Sequence, residues 1–114
     1  MNWFRKFRKS KTPTPALVVQ HNELSDALAE LASTFGDGYV AFDTGSKFTC
    51  SEADSVARVL AVAGHEDAAV TWLRGHAEGD EGGDSHHVYE DDEDQDGHQM
   101  DEDEVRAYIT GVLA

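Results

Sequence analysis

The chain is poor in most of what marks a secreted, membrane-embedded or large catalytic protein. Its single cysteine, Cys50, allows no intrachain disulfide, so a reducing cytoplasm is the expected compartment. The longest nearly apolar run, Val59 to Ala63, is far too short to cross a bilayer. The basic start leads into Thr12-Pro13-Thr14-Pro15 rather than an apolar stretch, which argues against a secretory signal. At 114 residues there is room for one domain and none for a large enzyme core. Cations are also scarce: beyond position 11 there is one lysine, Lys47, with Arg58, Arg74 and Arg106. Broad polyanion binding is therefore not expected, because phosphate repulsion opposes it and only the first eleven residues offer a cationic footprint.

What the chain does have is acid, unevenly placed. The formal charge is -14, with +5 on residues 1–15, -6 on 16–77, -14 on 78–104 and +1 on 105–114. Residues 16–77 hold 31 apolar side chains, whereas 78–104 hold only Val88, Tyr89 and Met100. So little apolar surface does not offset an ordering cost of roughly 1 to 2 kcal/mol per residue. The expected organisation is a flexible basic arm (1–15), a compact helical core with a hairpin (16–77), a disordered or ion-ordered acidic segment (78–104) and a C-terminal helix (105–114).

The expected fold class is α+β and mostly helical: a helix, a short β-hairpin, an αα-hairpin, an acidic loop and the last helix. Leu24, Leu28, Leu31 and Phe35 recur at helical spacing, with Asn22 or Ser25 as cap and Gly36 as a left-handed stop. Tyr39 to Asp43 and Ser46 to Cys50 flank Thr44-Gly45 and are rich in aromatic and β-branched types, which predicts the hairpin. Thr49 or Ser51, each with a carboxylate three residues on, predicts a capping box. The second helix then buries Val56, Val59, Leu60 and Ala63 and ends at Gly64; the third opens on Glu66 and Asp67 and buries Ala69, Val70, Leu73 and Ala77. Asp101 to Glu104 precede a docking face of Val105, Tyr108, Ile109, Val112 and Leu113.

The stretch from Phe48 to His87, through T-C-S-E-A-D, A-G-H-E-D-A-A and W-L-R-G-H-A-E-G-D, resembles small uncharacterised acidic proteins of actinobacterial phages and actinobacteria. The resemblance implies an intracellular setting, the host cytoplasm if the chain is phage-encoded. It implies no reaction, ligand or site residue.

Two constellations have the residue types of metal sites. Asp92 to Asp103 follow a calcium-loop pattern, with Asp92, Asp94 and Asp96 at positions 1, 3 and 5, Gly97 at the turn, the His98 carbonyl at position 7 and Asp103 at position 12. Position 12 is Asp rather than Glu, Gln99 replaces the apolar residue at position 8, and Glu81 to Asp91 lack an entering-helix stripe. Further upstream, His76, Asp80, Asp84, His86 and His87 offer imidazoles and carboxylates for a transition metal, with Gly79, Gly82 and Gly83 to let a loop wrap it. Against this stands the plainer reading of His76 as a frayed helix end and the rest as a polar loop.

The basic arm places Trp3, Phe4 and Phe7 beside Arg5, Lys6, Arg8 and Lys9, which suits weak contact of residues 3–9 with an anionic membrane. Cys50 with His65 or His76 would form a nucleophile and base only if folding joined them; a small core residue is the plainer role. No enzyme activity is expected, and no cofactor is required. The preferred function is a non-catalytic acidic interaction protein, a phage-encoded modulator or DNA mimic binding a basic, nucleic-acid-binding host protein. The alternative is a divalent-cation module using calcium at 92–103.

Overall fold

The computed structural model describes residues 21–81, 83–89 and 97–113. Among these, five α-helices surround a small core and a two-stranded antiparallel ribbon closes one end. The chain is thus α+β and mostly helical, though its strands are not the ones the sequence suggested.

Helix α1 spans His21–Phe35 and already includes Asn22 and Ser25, so neither caps it. It stops where expected, with the Gly36 N–H bonded to Ala32 O at 2.8 Å. Gly36 is not left-handed, however. Its use is close approach, because a Cβ there would sit 2.7 Å from the Ala68 Cβ. The leucine stripe is only partly covered: Leu24 is half exposed and Ala32 is the buried residue of this helix.

The predicted hairpin over 39–50 is instead helix α2, Gly38–Thr44, followed by a 3-10 turn, Gly45–Lys47. The reason lies in Asp37, whose Oδ1 accepts from the N–H groups of Tyr39 at 2.8 Å and Val40 at 3.3 Å. That satisfies orphan donors of the first helical turn and biases the segment to helix. Helical spacing then turns Ala41 onto the helix Glu66–Ala77, at a point where Gly75 leaves room: a Cβ on Gly75 would lie 2.2 Å from Ala41 O. Gly45 is right-handed (φ -57°) and likewise permits contact, since its Cβ would meet the His76 backbone nitrogen at 2.8 Å.

Helix α3, Cys50–Val62, has the expected capping box, with Thr49 Oγ1 accepting from Glu52 N–H at 3.1 Å and Glu52 Oε1 from Thr49 N–H at 2.9 Å. Its buried stripe is Ala53, Ala57 and Leu60, rotated from the expected one so that Val59 is exposed. Gly64 takes φ +93° and reverses the chain into α4, Glu66–Ala77. This fourth helix is the centre of the fold and buries Ala69, Val70, Trp72, Leu73, Gly75, His76 and Ala77. Trp72 is fully buried, donates Nε1–H to Ala53 O at 3.0 Å, and takes Phe35 and Phe48 edge-to-face at 5.0 Å each.

Asp80 and His86 are buried, and strands β1 (His87–Val88) and β2 (His98–Gln99) pair in the register His87 with Gln99 and Val88 with His98. Asp101 and Glu104 form a second capping box at the start of α5, Glu102–Tyr108, which continues as a π-turn, Ile109–Leu113. Val105 and Ile109 are fully buried, while Val112 stays exposed. Arg106 bonds Glu66 and Asp67 of α4, and these partners raise its pKa further. No helix among the described residues is long and apolar enough to cross a membrane.

Candidate metal centre

Three chain segments converge at one end of α3 and α4. Cys50 is the first residue of α3, placed by the Thr49 cap, and Asp54 stands one turn further along the same face. His76 is in the last turn of α4. Asp80 follows four residues later, in a turn closed by Gly79 N–H to His76 O (3.1 Å) and Asp80 N–H to Ala77 O (2.9 Å). The chain then reverses at Gly83 (φ +98°) and brings His86 back over Asp80, whose Oδ2 accepts the His86 backbone N–H at 3.0 Å.

Cys50 Sγ, one ring nitrogen each of His76 and His86, and an Asp80 oxygen all lie within 4.8 Å of one another. The Cys50 sulfur is 3.4 and 3.7 Å from the two Asp80 oxygens. His86 Nδ1 is 3.0 Å from Asp80 Oδ2. His76 Nδ1 is 2.8 Å from Gly45 O, a carbonyl that only accepts, so that nitrogen carries a proton, and in the neutral ring Nε2 presents a lone pair. His76 Nε2 is buried, 3.3 Å from Asp80 Oδ1, and in a direction that makes no hydrogen bond. Two acceptors facing each other in a dry site repel unless a proton or a cation lies between them.

The donor set fits a borderline transition-metal ion. Donors bound at about 2.0 to 2.3 Å in a tetrahedron stand about 3.3 to 3.8 Å apart; the contacts to Asp80 lie at 3.0 to 3.7 Å, and the whole set within 4.8 Å would have to draw in slightly around an ion. Two imidazoles, a thiolate and a carboxylate suit zinc and its neighbours rather than calcium, which takes six to eight oxygens. Charge balances as well: a thiolate and a carboxylate neutralise one divalent ion, removing the cost of isolated buried charges. Outside this set, the His86 Nε2 is 2.7 Å from Asp54 Oδ1, and the Tyr108 hydroxyl donates to Asp54 Oδ2 at 2.6 Å. The His86 ring is held edge-on to His76 at 4.8 Å and to Tyr108 at 5.3 Å.

Burial pushes the Cys50 thiol up from its usual value; a Ser85 backbone hydrogen bond opposes this and the Asp80 carboxylate adds to it. That is opposite to what activates a cysteine nucleophile, which needs a depressed pKa and a base beside it. The fold brings a His76 ring nitrogen within 4.8 Å of the Cys50 sulfur, whose side-chain hydrogen-bond partners are Asp80 and Ser85. Burial first, then Asp54, raises the Tyr108 phenol well above the usual tyrosine range, so it remains a donor.

Of the upstream constellation, the fold joins His76, Asp80 and His86 and leaves out Asp84 and His87. Asp84 is exposed and its Oδ2 accepts the Glu81 N–H at 2.7 Å, while the His87 ring packs on Tyr89 at 5.4 Å. His76 is a buried core residue rather than a frayed end. Cys50 is the ligand that sequence reasoning left out of the set. Little in the sequence signalled it: the Thr49 cap fixes Cys50 at the start of α3, but no local spacing ties it to His76, Asp80 or His86. Asp92, Asp94 and Asp96 of the calcium pattern lie outside the described residues, as does the arm at 3–9. Gly97 does take a positive φ of +62°, His98 Nε2 lies 2.8 Å from Glu104 Oε1, and Asp103 is in the first turn of α5. No known protein family, curated protein or solved structure matches the chain.

Proposed function

We propose that the chain is a small metal-binding protein in which one zinc-class ion, held by Cys50, His76, Asp80 and His86, clasps α3, the end of α4 and the following loop. The observation that carries this reading is the bare, buried His76 Nε2 facing Asp80 beside a thiol and a second imidazole. Four protein donors leave no coordination position for substrate, which favours a structural over a catalytic role. Calcium is disfavoured at this centre by its thiol and nitrogen donors.

Titration of the reduced full chain with Co2+ tests it. The expected result is one equivalent bound, with the visible bands of tetrahedral cobalt and a thiolate charge-transfer band, both bleached by Zn2+. A chain that shows neither band and no Zn2+-dependent rise in melting temperature does not have this centre.

A second reading concerns the surface. Among the described residues Arg74 and Arg106 are ion-paired, Arg58 donates to Leu113 O and Lys47 to Asp43 O, so most exposed carboxylates have no cationic partner. This supports docking to a basic protein, including one that ordinarily binds nucleic acid. Such a partner should be retained in EDTA and released by high salt.

A further inference from the structure

We propose that Asp54, anchored by Tyr108 from the C-terminal helix, selects the tautomer of His86 that admits the metal, so that these two residues set the affinity of the centre without touching the ion. The inference rests on the metal reading above and deepens it.

The ring of His86 is fully buried between two carboxylates, with Nδ1 at 3.0 Å from Asp80 and Nε2 at 2.7 Å from Asp54. A ring with two protons donates to both carboxylates, but it can bind an ion through Nδ1 only with a single proton, held on Nε2. With the proton on Nδ1, it occupies the line to Asp80 and removes a donor from the centre. With the proton on Nε2, Nδ1 turns a lone pair toward Cys50, His76 and Asp80. The choice depends on which carboxylate is the better acceptor for the ring.

Asp80 already accepts the backbone N–H of His86 on the same Oδ2 and has the Cys50 sulfur nearby, so its capacity is divided. Asp54 is positioned for the ring. Its Oδ1 makes the shorter contact, and its Oδ2 is occupied by the Tyr108 hydroxyl at 2.6 Å, which fixes the carboxylate plane. Helix α3 aligns the two partners, because Asp54 is one turn from Cys50 and both point to the same side. A carboxylate behind a metal-bound histidine commonly orients the ring and raises its basicity, and its loss costs about 10- to 100-fold in affinity. Here the carboxylate depends in turn on a tyrosine 54 residues away in sequence, so docking of the last helix and metal binding favour each other.

The test measures the Co2+ dissociation constant of the full chain by chelator competition for wild type, Asp54→Asn and Tyr108→Phe, with the 15N shifts of the His86 ring in each. Asp54→Asn is expected to weaken Co2+ binding about 10- to 100-fold and Tyr108→Phe about tenfold, with both keeping the thiolate charge-transfer band. In metal-loaded wild type His86 should carry its only ring proton on Nε2, and in Asp54→Asn the form with Nδ1–H and bare Nε2 should grow. Tyr108→Phe retains the ring packed on His86, and so separates loss of the hydroxyl from loss of the fold. If wild type binds Co2+ but both variants stay within about twofold of it, or weaken without a change of tautomer, the selector role is wrong and the centre stands. If wild type shows no cobalt–thiolate band, the centre itself is wrong.

Discussion

At the scale of single residues, Cys50 and His76 would carry the proposed centre in different ways. The thiol is raised by its surroundings and becomes a strong ligand only when an ion displaces its proton. Cys50→Ser keeps the size of the side chain and removes the soft donor. It should abolish the charge-transfer band and weaken Co2+ by more than about 100-fold, beyond the loss typical of an outer-shell partner. His76 has a conflict built into it, since a buried polar atom left without a partner costs about 1 to 3 kcal/mol. A proton on Nε2 would relieve that conflict, and so would an ion in the proposed centre. Trp72, by contrast, is satisfied in every direction, with its N–H bonded and both faces of its surroundings aromatic. Trp72→Ala should destabilise the metal-free chain by about 3 to 5 kcal/mol in urea unfolding, whether or not metal binds.

Elements show how far local chemistry reaches. The Thr49 capping box, the reversal at Gly64 and the inner face of α4 follow from residues within one or two turns of each other and were legible; the box of Asp101 and Glu104 is equally local but was not anticipated. Helix α2 was not, because Tyr39, Val40 and Phe42 suit a strand by type and Thr44-Gly45 suits a turn. The Asp37 cap and the contact with Gly75 decide it, and that contact is between segments more than thirty residues apart. Gly75→Ala should therefore push α2 off α4 and cost about 1 to 3 kcal/mol in thermal or denaturant unfolding, although alanine is the better helix former. The C-terminal helix gives a dynamic counterpart. Hydrogen exchange of the amides in 105–109 should slow when Zn2+ is added, and Tyr108→Phe should remove most of that slowing.

For the whole molecule, an ion that binds only the folded chain stabilises it by mass action. At a free Zn2+ concentration one hundred times the dissociation constant this amounts to about 2.7 kcal/mol, a rise in melting temperature on the order of 10 °C for a chain this size. EDTA should reverse it, and Ca2+ at the same concentration should leave the cobalt spectrum unchanged. The surplus of carboxylates acts at longer range and should appear as steep salt dependence of any association with a basic partner.

The sequence by itself determined the helical class, the capped start of α3, the reversal at Gly64 and the uneven charge. Those features arise from neighbours along the chain. It also brought His76, Asp80 and His86 to notice, since their types and spacing suit a metal. Only the tertiary structure decided that Cys50 joins them, that Asp84 and His87 do not, and that Asp54 and Tyr108 stand behind His86. The physical reason is distance along the chain. Ligand identity can be read from composition, but a coordination shell needs donors within a few ångströms, and here they come from positions 50, 76, 80 and 86, brought together by packing of α3 on α4.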